Sequence, residues 1–548
     1  MGLISFVGFT LLVALIAWWS TRKTNEGTSD GYFLGGRSLT AGVIAGSLLL
    51  TNLSTEQIVG LNGQAYTEGI LVMAWETLAA IAIVLTALFL LPRYLKGGLT
   101  TVPQFLEKRF DRFTKTLTSG LFLSGYVVVL LPIVLYSGAL AINTMFDIPK
   151  LLNVSDTAAL WIMVWAIGIV GSIYAIFGGL KAVAVSDTVN AIGLLIGGLL
   201  IPFYGLYKIG EGSIIAGIDT LMESHPEKFD SIGDSHASVP FATIFTGMML
   251  VQLFYWGTNQ AIIQRALAAK NLKEGQKGLM LAAFIKILGP IIVVLPGIIA
   301  FHMFGKLDNP DQAYPTLVNA VLPKVWLGFF AAVLFGAILS SFNSALNSSV
   351  TLFGIDIYKE YFNKEASEMK VVKAGKLFGV LLALLSMFIA PLIANAPQGL
   401  FGYLQEVNGC YNIPILTIIV VGYLTKRVPA IAAKIALFSG VILYSVSQFV
   451  MKPYFIDKSL DDAKSLGITD GSALKLIEAD AYPHFLHVMA ILFVVNILIM
   501  LIIGKLYPNE TPYEQVYTKQ VNIEPWKHVK LVGIGILVIV IGVYIYFS

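Results

Sequence analysis

The sequence predicts an all-α polytopic membrane protein with fourteen transmembrane helices. Three observations carry that prediction. Hydrophobic residues make up 56% of the 548, and only 13% are charged, too few to cover the apolar surface of a water-soluble globule of this size. Fourteen apolar stretches reach the length of about 20 residues that a helix needs to cross a bilayer core about 30 Å thick. Two of those stretches turn polar partway along, near Asn52 and near Tyr255.

The stretches run over 2–20, 38–60, 66–92, 116–146, 157–178, 184–207, 240–258, 278–305, 325–354, 377–395, 399–424, 430–450, 484–504 and 531–547. The first has no basic residue before it and no small-residue cleavage site after it, so it reads as a retained helix and not a signal peptide. It also lacks the hydroxyl residue that N-myristoylation requires at position six. Two longer loops, 211–239 and 452–482, mix charge with glycine and serine and read as surface connections, not domains. The single cysteine, Cys410, supports neither a disulfide within the chain nor a thiolate metal cluster. A net charge of +3 with no basic block leaves nucleic acid without a binding surface.

Basic residues set the orientation. Of 36 lysines and arginines, 26 fall on one set of alternate loops, from Arg22, Lys23 and Arg37 through Arg109 and Arg265 to Lys519, Lys527 and Lys530. Nine fall on the other set, most of them in the longer loops. Cytoplasmic loops keep the excess, so both termini are expected outside. The remaining one, Lys286, lies inside a span.

The second stretch begins as an apolar helix, Ala41 to Leu50, then turns polar through Thr51-Asn52-Leu53-Ser54-Thr55-Glu56-Gln57. The seventh does the same, with Gln252 followed by Tyr255-Trp256-Gly257-Thr258-Asn259-Gln260. Five spans separate equivalent points, and an odd number sends the second set through the membrane in the opposite sense. This is the signature of an inverted-topology repeat with two broken helices. Irregular backbone at membrane depth survives only against protein or a water-filled cavity, where its freed carbonyls are ready cation ligands. Polar helix ends at a shallow span boundary are the competing reading.

A charge at the bilayer centre costs about 2.5–3.5 kcal/mol on insertion scales, so each one needs a partner, water or a function. Glu76 and Lys286 have apolar flanks and occupy corresponding spans of the two halves. Opposite charges at one cavity would neutralise it when empty and offer an acceptor and a donor to hydroxyl groups when filled. They would equally serve as an ion pair that only holds two helices together. Gln57, Gln252 and Gln405 add amides that donate and accept together, which suits a polyol, although a buried glutamine also serves as an interhelical hydrogen bond. Trp75, Tyr255 and Trp256 lie at similar levels, as packing or as covers for a sugar ring. In the segment from Phe335 to Ser344, Ser340 and Ser341 follow Ala337 by about one helical turn. Hard oxygen ligands without a carboxylate suit a monovalent cation, but serine-rich faces also serve close helix packing. The chain has no His-Glu-x-x-His, P-loop or Gly-x-Ser-x-Gly sequence, so metal hydrolysis, ATP use and esterase chemistry have no anchor. His484 and His487, at a span edge, read as interfacial.

Several segments together resemble the solute:sodium symporter family, and within it the bacterial sodium/galactose and sodium/glucose branch. They are Gly31 to Leu39 (GYFLGGRSL), Asn52 to Gln57 (NLSTEQ), Val102 to Phe110 (VPQFLEKRF), Tyr174 to Leu180 (YAIFGGL), Tyr255 to Gln260 (YWGTNQ), Ile263-Gln264-Arg265 and Ile355 to Tyr361 (IDIYKEY). The resemblance implies a five-plus-five inverted-repeat fold shared with amino-acid:sodium symporters. It divides the chain into an extra N-terminal helix and cytoplasmic loop (1–37), a first repeat (38–207), an extracellular loop (208–239), a second repeat (240–424) and three C-terminal helices (425–548). It further implies a coupling Na+ held by the carbonyls of Leu50, Leu53 and Ala337 and the hydroxyls of Ser340 and Ser341. By the same resemblance a sugar sits among Gln57, Glu76, Gln252, Lys286 and Gln405, closed on the inner side by Asn52 and Tyr255 and on the outer side by Leu61, Trp75 and Phe401. A second Na+ in some members falls near positions matching Asp187 and Ser344, but Asn343 replaces a hydroxyl there. Gln252 and Ala79 also depart from the asparagine and serine of the galactose branch.

The expected function is sodium-driven uptake of a hexose such as galactose or glucose across a plasma membrane, a bacterial inner membrane. The chain is not expected to be an enzyme. Its partners are a small-molecule sugar, Na+ and the lipid bilayer. Symport of another solute (a polyol, carboxylate, vitamin or amino acid) and a sodium-gated sugar sensor remain as alternatives.

Overall fold

Runs of apolar, helix-compatible residues interrupted at glycine, proline and short polar clusters give a helical molecule. The computed structural model describes residues 2–22, 28–395 and 400–548; Lys23, with part of the loop after the first helix, lies outside them. Among the described residues the sole β-pairing is an isolated bridge between Leu39 and Ala269. Among the described residues eleven helices are long and apolar enough to cross a membrane, and twelve when the pair Phe241–Gly257 and Gln260–Leu267, bent by 48° at its break, is counted as one span. The other two expected spans fall on Gly2–Thr21 and on the pair Ala41–Asn52 and Thr55–Glu68, whose apolar runs are shorter.

One helical run, Asp156–Ile209, contains two spans that meet at Gly179, whose φ of +59° with extended ψ is a conformation essentially restricted to glycine. Both long loops carry helices of their own, Ile214–Ser224 after Ser213, and Lys452–Ser465 with Gly471–Asp480 after Asp470. The apolar residues inside those polar segments recur at helical spacing, so Gly217 and Leu221 are buried on one face.

Outward faces are apolar. On Val529–Tyr546 the exposed residues Leu531, Ile534, Val538, Ile541 and Ile545 recur every three or four positions while Gly533, Ile536 and Val540 turn inward. That stripe suits lipid, where helix association rests on packing and internal polar contacts. The first broken helix packs against Leu272–Val293, Asp156–Ile209 and Lys324–Thr351, and Ala74–Leu85 packs against Leu272–Val293 and Met249–Gly257. These helices surround the central site.

Candidate functional site

Both breaks have local chemical causes. At the first, the Ser54 amide donates back to Asn52 O at 2.7 Å and not to Leu50 O, four residues before it. The next helix takes Ser54 as N-cap, and its first amide bond runs from Ile58 to Ser54 O at 2.9 Å. The carbonyls of Leu50 and Leu53 are therefore released from the helix ladder. At the second, Thr258 and Asn259 leave helical geometry, and the Asn259 side chain caps Ala261 N at 3.0 Å. Tyr126 locks this turn, its hydroxyl donating to Asn259 Oδ1 at 2.8 Å and accepting from Ala261 N at 3.0 Å.

Between the breaks lies a central cavity of about 50 Å³, room for a few water molecules. Its wall contains seven amides, Asn52, Gln57, Gln252, Asn259, Gln405, Asn408 and Asn412, with six aromatic rings and one carboxylate, Glu56. Gln57, Gln252 and Gln405 are thus brought together, with Asn52 and Tyr255 beside them. Gln252 donates to Trp75 O at 2.9 Å and accepts from Trp256 Nε1 at 3.2 Å.

Glu76 and Lys286 form a fully buried ion pair just behind that wall. Gln57 donates to the other Glu76 oxygen, and Lys286 donates to Asn52 Oδ1 while lying 5.7 Å from the Trp256 ring centre. Neither charge borders the cavity. They reach it through Gln57 and Asn52, whose side chains they orient.

Trp75 and Phe401 meet edge to face, with ring centres 5.1 Å apart. These two rings border the central cavity and also a wider vestibule of about 570 Å³ on their far side. They stand as a partition between the two. Leu61 is buried in the apolar core and lines neither cavity. Buried Lys228 tethers the end of the first broken helix by donating to Tyr66 O at 3.2 Å and Thr67 O at 2.5 Å. Burial lowers its pKa, with Glu227 and Glu68 opposing that shift.

The helix Lys324–Thr351 lays its hydroxyl face against the first break. Ser341 Oγ donates to Thr51 O at 3.1 Å, and Thr51 Oγ1 lies 3.0 Å from Ser344 Oγ. Ser340, 2% exposed, borders a cavity together with Asp187 and Asn343 and lies close enough to Asp187 for its hydroxyl to interact with that carboxyl. Released carbonyls and neutral hydroxyls are hard oxygen donors, a set whose chemistry fits a monovalent cation. Asp187 and Ser344 do not meet directly. Ser47 donates to Asp187 at 2.7 Å, Arg265 Nε donates to Ser47 at 3.2 Å, and a second Arg265 nitrogen donates to Ser344. Arg265 is fully buried and Arg109 is 3% exposed, so these two members of the loop-side basic set act inside the protein. Arg109 donates to the carbonyls of Gly422, Thr425 and Val428.

Sequence reasoning missed Glu56, Asn408, Tyr411 and Asn412 as cavity residues. The signal was present: Gln405, Asn408 and Asn412 recur every three or four positions within an apolar span, one helix face. Glu56 was hidden inside the polar run that marked the break.

Residues 32–441 match the sodium:solute symporter family. The chain is 48% identical over 542 residues to an uncharacterized symporter, YidK, of Escherichia coli, spanning 99% of this chain and 90% of that protein. It is 33% identical over 469 residues to a sodium/glucose cotransporter of Vibrio parahaemolyticus, spanning 80% and 84%. It is 28% identical over 536 residues to sodium/glucose cotransporter 1 of Ovis aries, spanning 90% and 77%. A substrate-bound, outward-open structure of a Na+-coupled sialic acid symporter has a TM-score of 0.73 at 19% identity, covering 94% of this chain and 99% of that one. A closed nucleobase-cation-symport-1 family transporter has a TM-score of 0.52 at 13% identity, covering 87% and 95%. Those two likenesses establish a shared transporter fold and leave the cargo open. The chain belongs to the sodium:solute symporter family and is a sodium-coupled membrane transporter, not an enzyme.

Proposed function

We propose that the protein couples inward movement of Na+ to uptake of a neutral polyhydroxylated ring, a hexose such as galactose or glucose. The observation that carries this reading is the composition of the central cavity. Seven amides offer donors and acceptors in equal measure, and six aromatic rings offer faces to C–H surfaces, with Glu76 and Lys286 neutralising each other behind the wall. The sodium/glucose relatives point the same way. Gln57, Gln252 and Gln405 bond the cargo, oriented in part by Glu76 and Lys286. Asn52 and Tyr255 close the inner side, and Trp75 and Phe401 close the outer side.

In this reading the chain spans the membrane fourteen times, with five-plus-five inverted repeats over 38–207 and 240–424, one helix before them and three after. Both termini face outside, and the membrane is a bacterial inner membrane. One Na+ bridges the carbonyls of Leu50, Leu53 and Ala337 to the hydroxyls of Ser340 and Ser341, favouring the arrangement in which the outer vestibule is open and the inner side is closed. One sodium moving inward through about 100 mV contributes about 2.3 kcal/mol and a tenfold gradient about 1.4, together roughly 500-fold accumulation.

Glu56 supports a second reading. A cavity-lining carboxylate with one oxygen unpartnered suits a cargo rich in donors, such as a larger polyol or an amino solute, and opposes an anionic one. Uptake of labelled hexoses, polyols and amino acids into proteoliposomes, with and without an inward sodium gradient, separates the two. Sodium-driven uptake of one hexose, lost in Ser340→Ala, is the expected result. Silence for every hexose with uptake of another solute overturns the hexose assignment.

A further inference from the structure

We propose that His225 and His302 together bind a borderline-soft divalent cation such as Zn2+, and that the ion fastens the loop 208–239 to the end of a core helix. His225 closes the helix Ile214–Ser224, and His302 lies in the last turn of Leu295–Phe304. Loop and helix therefore supply one imidazole each, from positions 77 residues apart. In the orientation proposed above this face lies outside the cell, and the site does not depend on which cargo is carried.

The spacing of the rings is the first argument. His225 Nε2 and His302 Nδ1 lie 3.1 Å apart, and the ring centres are separated by 5.2 Å. A tetrahedral zinc with Zn–N bonds of about 2.0–2.1 Å holds two imidazole nitrogens about 3.3–3.4 Å apart and their ring centres about 5 Å apart. The two side chains therefore already stand close to the spacing of two ligands on one ion.

The second argument is the group behind His225. Its other nitrogen, Nδ1, lies 3.6 Å from Glu227 Oε1. A carboxylate on that side favours the proton on Nδ1 and leaves Nε2 with a lone pair directed to His302, as in metal-binding histidines whose second nitrogen is oriented by a carboxylate. The hydrogen bond between the two rings then has His302 Nδ1 as its donor. On binding, that proton moves to His302 Nε2, and both facing nitrogens present lone pairs.

The surroundings are the third. The Lys228 ammonium is engaged with Tyr66 O and Thr67 O and lies 4.2 Å from the Phe301 ring centre, while Glu227 and Glu68 act against its charge. The His225 side chain is 23% exposed, which gives an ion a route from solvent. Among the described residues no group of three or more histidine, cysteine or acidic side chains is placed to hold a metal, so the two imidazoles are the protein's contribution and water completes the coordination. Nitrogen ligands select zinc, copper or nickel over magnesium and calcium. The bound ion would add a third tie to an outer cluster in which Lys228 holds the first broken helix and the Tyr66 hydroxyl accepts from Leu307 N at 2.8 Å.

The test uses the detergent-solubilised full chain without a histidine tag. Zinc binding is measured by isothermal titration calorimetry, and hydrogen exchange of the turn Pro226–Phe229 is followed with and without zinc. One zinc per chain is expected, with slowed exchange in that turn and no competition from magnesium. His225→Ala and His302→Ala should each abolish binding, and Glu227→Gln should weaken it about tenfold to a hundredfold. The pair His484→Ala with His487→Ala should leave it unchanged. Melting temperatures without zinc check that each variant folds, and where His302→Ala does not, the more exposed His225→Ala decides. Absence of zinc binding, binding that survives His225→Ala, or binding lost in the His484 and His487 pair overturns the site. Bound zinc that leaves exchange of Pro226–Phe229 unchanged overturns the fastening.

Discussion

Removing the charges behind the cavity wall tests whether they serve the cargo or only brace two helices. Glu76 and Lys286 are both 0% exposed, and each spends its bonds on the other and on one amide, Gln57 or Asn52. Lys286→Met leaves a buried carboxylate with one amide donor, and Glu76→Gln leaves a buried ammonium facing Asn52 and the Trp256 ring. Each single change should cost about 3–5 kcal/mol, because an uncompensated charge remains in a fully buried site. The double variant Glu76→Gln with Lys286→Met removes both charges and should regain most of that stability in thermal unfolding of the detergent-solubilised protein. Transport should not recover with it. A charge-assisted hydrogen bond contributes about 1.5–3 kcal/mol, so losing the bonds that hold Gln57 and Asn52 should raise the apparent KM for uptake about tenfold to a hundredfold. A stable double variant with unchanged KM refutes the role assigned to the pair. Single variants as stable as the double refute the electrostatic account itself.

Ser340→Ala should cost no more than the about 1.5–3 kcal/mol of one hydrogen bond to a charged group, here Asp187, and raise the sodium concentration for half-maximal uptake. Ser341→Ala loses its bond to Thr51 O, so it should lower both sodium affinity and stability, the latter by about 0.5–1.5 kcal/mol. At Gly60 an added Cβ would lie 2.7 Å from Phe401 Cβ; Gly60→Ala should push Phe401 off Trp75 and raise sugar-independent sodium leak in a liposome current assay. Glu56→Gln should change the ranking of solutes in the uptake panel while keeping sodium coupling, and an unchanged ranking would remove Glu56 from the binding wall. Arg265 already supplies a cation between Asp187 and Ser344, so reversal potentials should report one charge moved per cargo molecule, and two would show that a second Na+ binds despite it.

The breaks and the charged pair were legible in the sequence because polar atoms at membrane depth have few tolerable settings. Asn52 to Gln57 had to lie against a cavity, and Lys286 had to find an acid; the structure supplies both. The quoted motifs contact one another for a related reason. Gln260 Oε1 accepts from Val102 N at 2.9 Å, and Gln264 bonds Phe33 O at 2.8 Å and Ser348 at 2.8 Å, so each segment satisfies backbone or hydroxyl groups that another leaves open. Periodicity could not show depth behind a wall. Glu76 and Gln57 differ by 19 positions and share a bond, yet only Gln57 reaches the cavity, a distinction set by how three helices cross. Arg265 was indistinguishable from a loop arginine, because its burial depends on Ser47 and Ser344, which lie on two other helices.

Coupling follows from how much the two proposed sites share. The break at Leu53 and Ser54 frees carbonyls beside the Lys324–Thr351 helix and presents Asn52 and Gln57 to the cavity, so one short irregular segment serves both proposed sites. An ion held by Leu50, Leu53 and Ser340 would fix the same backbone that carries Asn52 and Gln57, lowering the cost of ordering them around a cargo. Linkage then requires the reverse: cargo bound to Gln57 must tighten sodium by the same factor. The second break is joined to this arrangement through Arg265, which follows Asn259 by less than two helical turns and bonds Ser344 on the Lys324–Thr351 helix. Neither broken helix can shift far without disturbing the hydroxyl face of Lys324–Thr351, and a motion that releases sodium must therefore move the amides that hold the cargo.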